Sequence, residues 1–196
     1  MKKLLLILLC LPFIGLGQGS IISKVANEGL KDYLEKIPLG QEEMFGFNHR
    51  EDFNQAKIGI PYEMFTLNSD FFDDENIRRD KNYIISTGNF RVPIIVGNEY
   101  KALLTVSKEN NKWCVVAIGA TGLANELEKF EQNHQSVSPL NILRIFQLKG
   151  DFIFSSENIV YPITSARNGL LIDNDKAYSI YDILTLIKNK ELNYEK

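Results

Sequence analysis

Cysteine and histidine are scarce in this chain, with two of each among 196 residues. His49 and His134 lie far apart and neither belongs to an HExxH spacing, so no zinc motif is legible. The phosphate-cradling pattern GxxxxGK[ST] is missing, as is the nucleophile elbow GxSxG. A basic block is missing too. Lys and Arg total 22 against 25 Asp and Glu, a net charge of −3, which argues against nucleic acid as a partner. Beyond the first residues no apolar run approaches the roughly 20 residues a membrane helix needs. Neither internal repeats nor low-complexity segments occur.

What is present begins with a leader. MKKLLLILLCLPFIGLGQ combines Lys2 and Lys3, the apolar run Leu4–Ile14, and the small residues Gly15 and Gly17 at positions −3 and −1. It reads as an export signal at 1–17, cleaved after Gly17, with a single domain over 18–196 and a candidate internal boundary near 131–139. The expected location is secreted or periplasmic. Cys10 is a poor lipid-attachment site, because Leu8 and Leu9 precede it where a small residue belongs. GLGQG in the same region has no strand–helix unit around it and is no dinucleotide fingerprint. After cleavage only Cys114 remains, so no intramolecular disulfide forms and the apolar core must hold the domain alone.

Further along, Ile22, Ala26, Leu30, Tyr33, Leu34 and Ile37 form one stripe of a first helix, capped by Ser20 or Ser23 and stopped by Pro38. This helix is expected to lie across the sheet. Phe45, Phe47 and Phe53 are expected to tuck under a loop, with a helical turn near 51–56. Tyr62–Leu67 reads as a strand. NSDFFDDENIRRDKN lacks the central Gly and the spacing of a calcium loop, as does DND at 173–175; the first reads as a salt-bridged loop or short helix.

Tyr83–Thr87 adds a short strand, and FRVPIIV, EYKALLTVS and KWCVVAI then form a meander. Pro93 points to an edge strand or a bulge. Gly97–Asn98 and Glu109–Asn111 make the turns. Because KWCVVAI is apolar on both faces, it is placed at the centre of the sheet. Thr121 is expected to cap the helix TGLANELEKF, whose Leu123, Leu127 and Phe130 face inward. LNILRIFQL, the turn KGD, FIFSS and NIVYPI supply a second β run. Arg144 shares a face with Leu140, Ile142, Phe146 and Leu148; an ion pair is favoured over an anion contact. Ser179 with Asp182 opens a C-terminal helix to about Lys190, beyond which ELNYEK frays.

The fold class is therefore α+β: a mostly antiparallel sheet of about 6–8 strands, in one or two halves, with helices at the N-terminus, near 121–133 and near 180–190. In architecture this loosely resembles cystatin-like and NTF2-like domains, a likeness that transfers no site. The sharpest enzyme idea pairs Cys114 with His134. Cys114 sits mid-strand beside Trp113 and Val115, however, where a thiol is core material rather than a nucleophile. Catalytic, cofactor and metal residues are accordingly assigned to none. The expected function is a non-enzymatic binding or interaction module for a peptide, protein or small ligand. A hydrolase using scattered acidic residues or, less favoured, Cys114 with His134 is the competing reading. The ligand is expected on a concave sheet face or along the edge bearing Pro93, where strand addition is one physical route. The 68–82 loop and the 38–60 segment are the other candidate surfaces.

Overall fold

The computed structural model describes residues 14–134, 139–155, 158–172 and 176–194, with side chains from 19 to 190. Helix α1 (Ile14–Glu35) leads into two short 3-10 turns, Glu42–Phe45 and Arg50–Gln55. Strands β1 (Lys57–Ile58) and β2 (Tyr62–Leu67) follow, then the short helix α2 (Ser69–Asp73). The meander is β3 (Ile84–Val96), β4 (Glu99–Glu109) and β5 (Lys112–Gly119), closed by helix α3 (Thr121–Asn133). The second run is β6 (Leu140–Ile145), β7 (Gly150–Ser155) and β8 (Ile159–Pro162). Helix α4 (Thr164–Leu170), strand β9 (Tyr178–Ser179) and helix α5 (Ile180–Tyr194) complete the described chain.

One sheet unites all of this. Its order is β5-β4-β3-β2-β6-β7-β8-β9, with β1 paired to β3 beside β2. The pairs are antiparallel except β2 with β6, where Met64 lies opposite Ile142 and Phe65 opposite Leu143. The α+β class and the antiparallel sheet hold, and the two β runs are halves joined by this one parallel seam. A cystatin-like arrangement is not confirmed.

The two faces are covered unequally. On one face the α1 stripe Ile22, Ala26, Leu30 and Leu34 buries against Phe90, Val92, Ala102, Leu104 and Val106. Farther along that face, Phe71 and the α5 residues Ile183, Leu184 and Ile187 pack on Leu143, Phe152 and Phe154. On the opposite face α3 sets Ala124 and Leu127 against Tyr62, Met64, Leu103, Ile142 and Ile153. Two glycines make these contacts close enough. A Cβ on Gly29 would stand 2.6 Å from Val115 Cγ2, so helix α1 sits tight on β5 only because that position is bare. Gly46, at φ 82°, has the Lys101 carbonyl oxygen 2.3 Å from its Cβ position.

Several expectations need correction. β5 is an edge strand, not the centre: Ala117 is exposed and only Val115 is fully buried. The buried strand is β4, with Ala102, Leu103, Leu104 and Val106 all inaccessible. Apolar residues on both faces of β5 mark contact with α1 on one side and a half-open surface on the other. Pro93 lies in an interior strand. Its carbonyl accepts the Gly59 N–H at 2.8 Å, where the chain passes between β1 and β2, so its missing N–H falls at a break in the neighbouring strand. A register shift follows at Ile94/Ile95, so the expected bulge is there. The 83–87 strand and the first meander strand are one continuous β3. β6 ends at Ile145, and the turn is Phe146–Lys149 rather than KGD. Ala120, not Thr121, occupies the N-cap of α3. Helix α5 continues to Tyr194, past the expected fraying point.

Candidate functional site

The face covered by α3 is covered only in part. Cross-strand partners point to the same side of a sheet, so the register carries a row with several polar members across this face. Ala117 on β5 pairs with Thr105 on β4, which pairs with Arg91 on β3, itself opposite Tyr62 on β2. Thr66 pairs with Ile85, which is 45 % exposed although large and apolar. On the far side of the seam Arg144 on β6 pairs with Asp151 on β7.

One guanidinium in this row, that of Arg144, is paired with a carboxylate. Arg144 Nη1 donates to Asp151 Oδ2 at 2.6 Å. The Asp151 backbone N–H donates to Ser165 Oγ at 2.9 Å, which pins the start of α4 to the row. Arg91 Nη1 donates to the Thr105 hydroxyl. The Nε of Arg91 and the Oδ1 of Asp151 are buried and, among the described residues, have no hydrogen-bond partner. Burial lowers the Arg91 pKa, partly offset by the charge of Asp151 and reinforced by that of Arg144. Burial likewise raises the Asp151 carboxyl above the usual carboxylate range, against the pull of Arg144 and Arg91. Arg91 and Arg144 bring two positive charges to the row against the one negative charge of Asp151. A buried guanidinium N–H without a partner is costly unless an acceptor completes it.

A second polar network fixes α3 itself. The Tyr62 and Tyr100 hydroxyls both donate to Glu131, and the Tyr100 N–H donates to Glu128 at 2.9 Å. Burial, then the bond to Glu131, pushes the Tyr100 phenol up to about 12, and Tyr62 higher still. Tyr62 is 1 % exposed, which makes this a structural tie rather than a reactive phenol.

The residues singled out in the sequence do not converge. The Cys114 thiol donates to the Ser107 carbonyl at 3.7 Å on edge strand β5 and is half-buried, less sheltered than expected. Its pKa is raised, by burial first and then by Glu109, the opposite of an activated thiol. His134 ends α3 and stacks on Phe130 at 4.1 Å, beside Tyr161 on β8. β5 and β8 stand toward opposite edges of the sheet, so Cys114 and His134 form no dyad. The acidic loop is salt-bridged as expected: Lys81 bonds Asp70 at 3.2 Å and Asp74 at 2.9 Å. No group of three or more His, Cys, Asp or Glu is placed to hold a metal among the described residues. No helix among them is long and apolar enough to cross a membrane. The DND segment at 173–175 lies outside the described residues.

Arg144 has the ion pair favoured from sequence. Arg91 and Asp151 went unnoticed. Arg91 is the one charge inside FRVPIIV, and Asp151 was assigned to a turn; a cation at a strand-interior position was the available signal. Comparisons with protein-family models, curated proteins and solved structures find no match to this chain.

Proposed function

We propose that this chain is an exported, non-enzymatic binding module that takes an anionic ligand, phosphate- or carboxylate-bearing, on the open sheet face beside α3. The observation carrying this reading is half-buried Arg91, whose Nη1 meets a hydroxyl and whose buried Nε has, among the described residues, no hydrogen-bond partner. Arg144, half-buried two strands away, supplies a second donor set to the same acceptor. Charge-assisted bonds of this kind contribute on the order of 1.5–3 kcal/mol each. The hydrolase reading is weaker. Its best-placed acid, Asp151, has a side chain 7 % exposed and already held by Arg144, out of reach of a substrate water. Export rests on the leader. Cleavage after Gly17 removes no side chain of the described core, whose first member is Ile22; N-terminal sequencing of the secreted protein should begin at Gln18.

Calorimetric titration with inorganic phosphate and with succinate tests the ligand class. At least one should bind, and Arg91→Gln should weaken it roughly tenfold. Equal affinity in the two proteins, or neither anion binding the wild type at millimolar concentration, contradicts the reading.

A further inference from the structure

A cleft of about 290 Å³ opens between the last turns of α3, strand β8 and the start of α4. It is separate from the arginine row. Its apolar wall is a three-ring cluster: Phe130 and His134 stacked at 4.1 Å with an interplanar angle of 10°, and Tyr161 edge-on to Phe130 at 4.8 Å. His134 Nδ1 is 3.0 Å from the Phe130 carbonyl oxygen, which fixes the imidazole in the stack. Lys129 and Arg167 line the same cleft. Arg167 donates to the Thr164 hydroxyl at 2.9 Å, and among the described residues neither cation has a carboxylate within ion-pair distance. The cleft's one carboxylate, Glu126, is committed to the Thr164 backbone N–H at 2.8 Å.

We infer that this cleft is a second binding site, for a small aromatic carboxylate. Its volume falls just below the roughly 300–1,000 Å³ of small-molecule sites, which suits one ring and its substituents. The ring cluster offers π surface to a flat apolar body. Two cations on the rim, one of them a planar fork, then select a ligand whose charge sits at one end. A neutral flat molecule gains only the first contact and a small aliphatic acid only the second, so both should bind less well.

Titration of the ¹⁵N-labelled protein with 4-hydroxybenzoate, 4-hydroxybenzamide and acetate reads this out. The benzoate should shift the backbone amides of 129–134, 161 and 163–167, with the benzamide and acetate at least tenfold weaker. Arg167→Gln should weaken the benzoate at these amides roughly tenfold and Lys129→Gln severalfold. The amides read are those of the cleft, which separates this site from the sheet-face site. Benzoate and benzamide binding alike, no shifts in the cleft, or an Arg167→Gln protein that is folded and binds the benzoate unchanged would each overturn the inference.

Discussion

At Gly29 helix propensity and packing pull in opposite directions. By helix propensity alone, Gly29→Ala should stabilise α1 by about 1 kcal/mol. The added methyl would meet Val115 Cγ2 at 2.6 Å, and overpacking of that kind costs about 1–3 kcal/mol. Chemical denaturation should therefore find Gly29→Ala less stable than wild type, with Val115→Ala in the same chain restoring part of the loss; a more stable Gly29→Ala would mean α1 stands farther off the sheet. The tyrosine pair makes a second residue-level prediction. Tyr62 and Tyr100 keep their protons in the fold above the ordinary phenol range, Tyr100 up to about 12. The folded state then binds more protons than the unfolded one, so stability falls as pH rises from the normal tyrosine range toward 12. Ultraviolet titration should show these two phenols ionising late, together with Tyr83, which burial also raises, and Glu131→Gln should bring Tyr100 down.

Among the elements, those with a period or a cap were legible and those placed by partners were not. The α1 stripe, the Asn110–Asn111 turn with φ of 50° and 62°, and the bond from the Asp182 N–H to Ser179 all follow from local chemistry. The position of β5 does not. Apolar residues on both faces suit a central strand and an edge strand under a helix equally, and only the α1 contact decides. Helix α4 had no sequence signal strong enough to separate TSARNGL from a loop. The 68–82 segment was legible as a charged loop and now makes a prediction as a unit. Bonds from Lys81 first, then Tyr83, hold the Asp74 carboxyl below the usual carboxylate range. That contribution is present above the ordinary carboxylate pKa and is lost as pH falls through the depressed value. Lys81→Met should raise the Asp74 pKa toward normal, as read by carboxyl NMR, and shift acid unfolding of the loop to higher pH.

The whole molecule is one sheet with a parallel seam, and the seam is what assembles the candidate site. Arg91 and Thr105 belong to the meander half, Arg144 and Asp151 to the second half, so no local stretch of sequence contains the row. Arg144 was visible as an anomalous cation, but its neighbour Arg91 is 53 positions away, brought near only by the β2–β6 pairing. The uneven helix cover then decides what the sheet can do: α1, α2 and α5 pack on one face, while α3 and the start of α4 lie on the other, where the arginine row runs. The most direct measurement is the Arg91 Nε–Hε resonance, followed by NMR as phosphate or succinate is added. It should move in a saturable way while that of exposed Arg79 stays put, because Nε is the buried donor awaiting an acceptor. An Arg91 resonance unmoved by both anions would contradict the account.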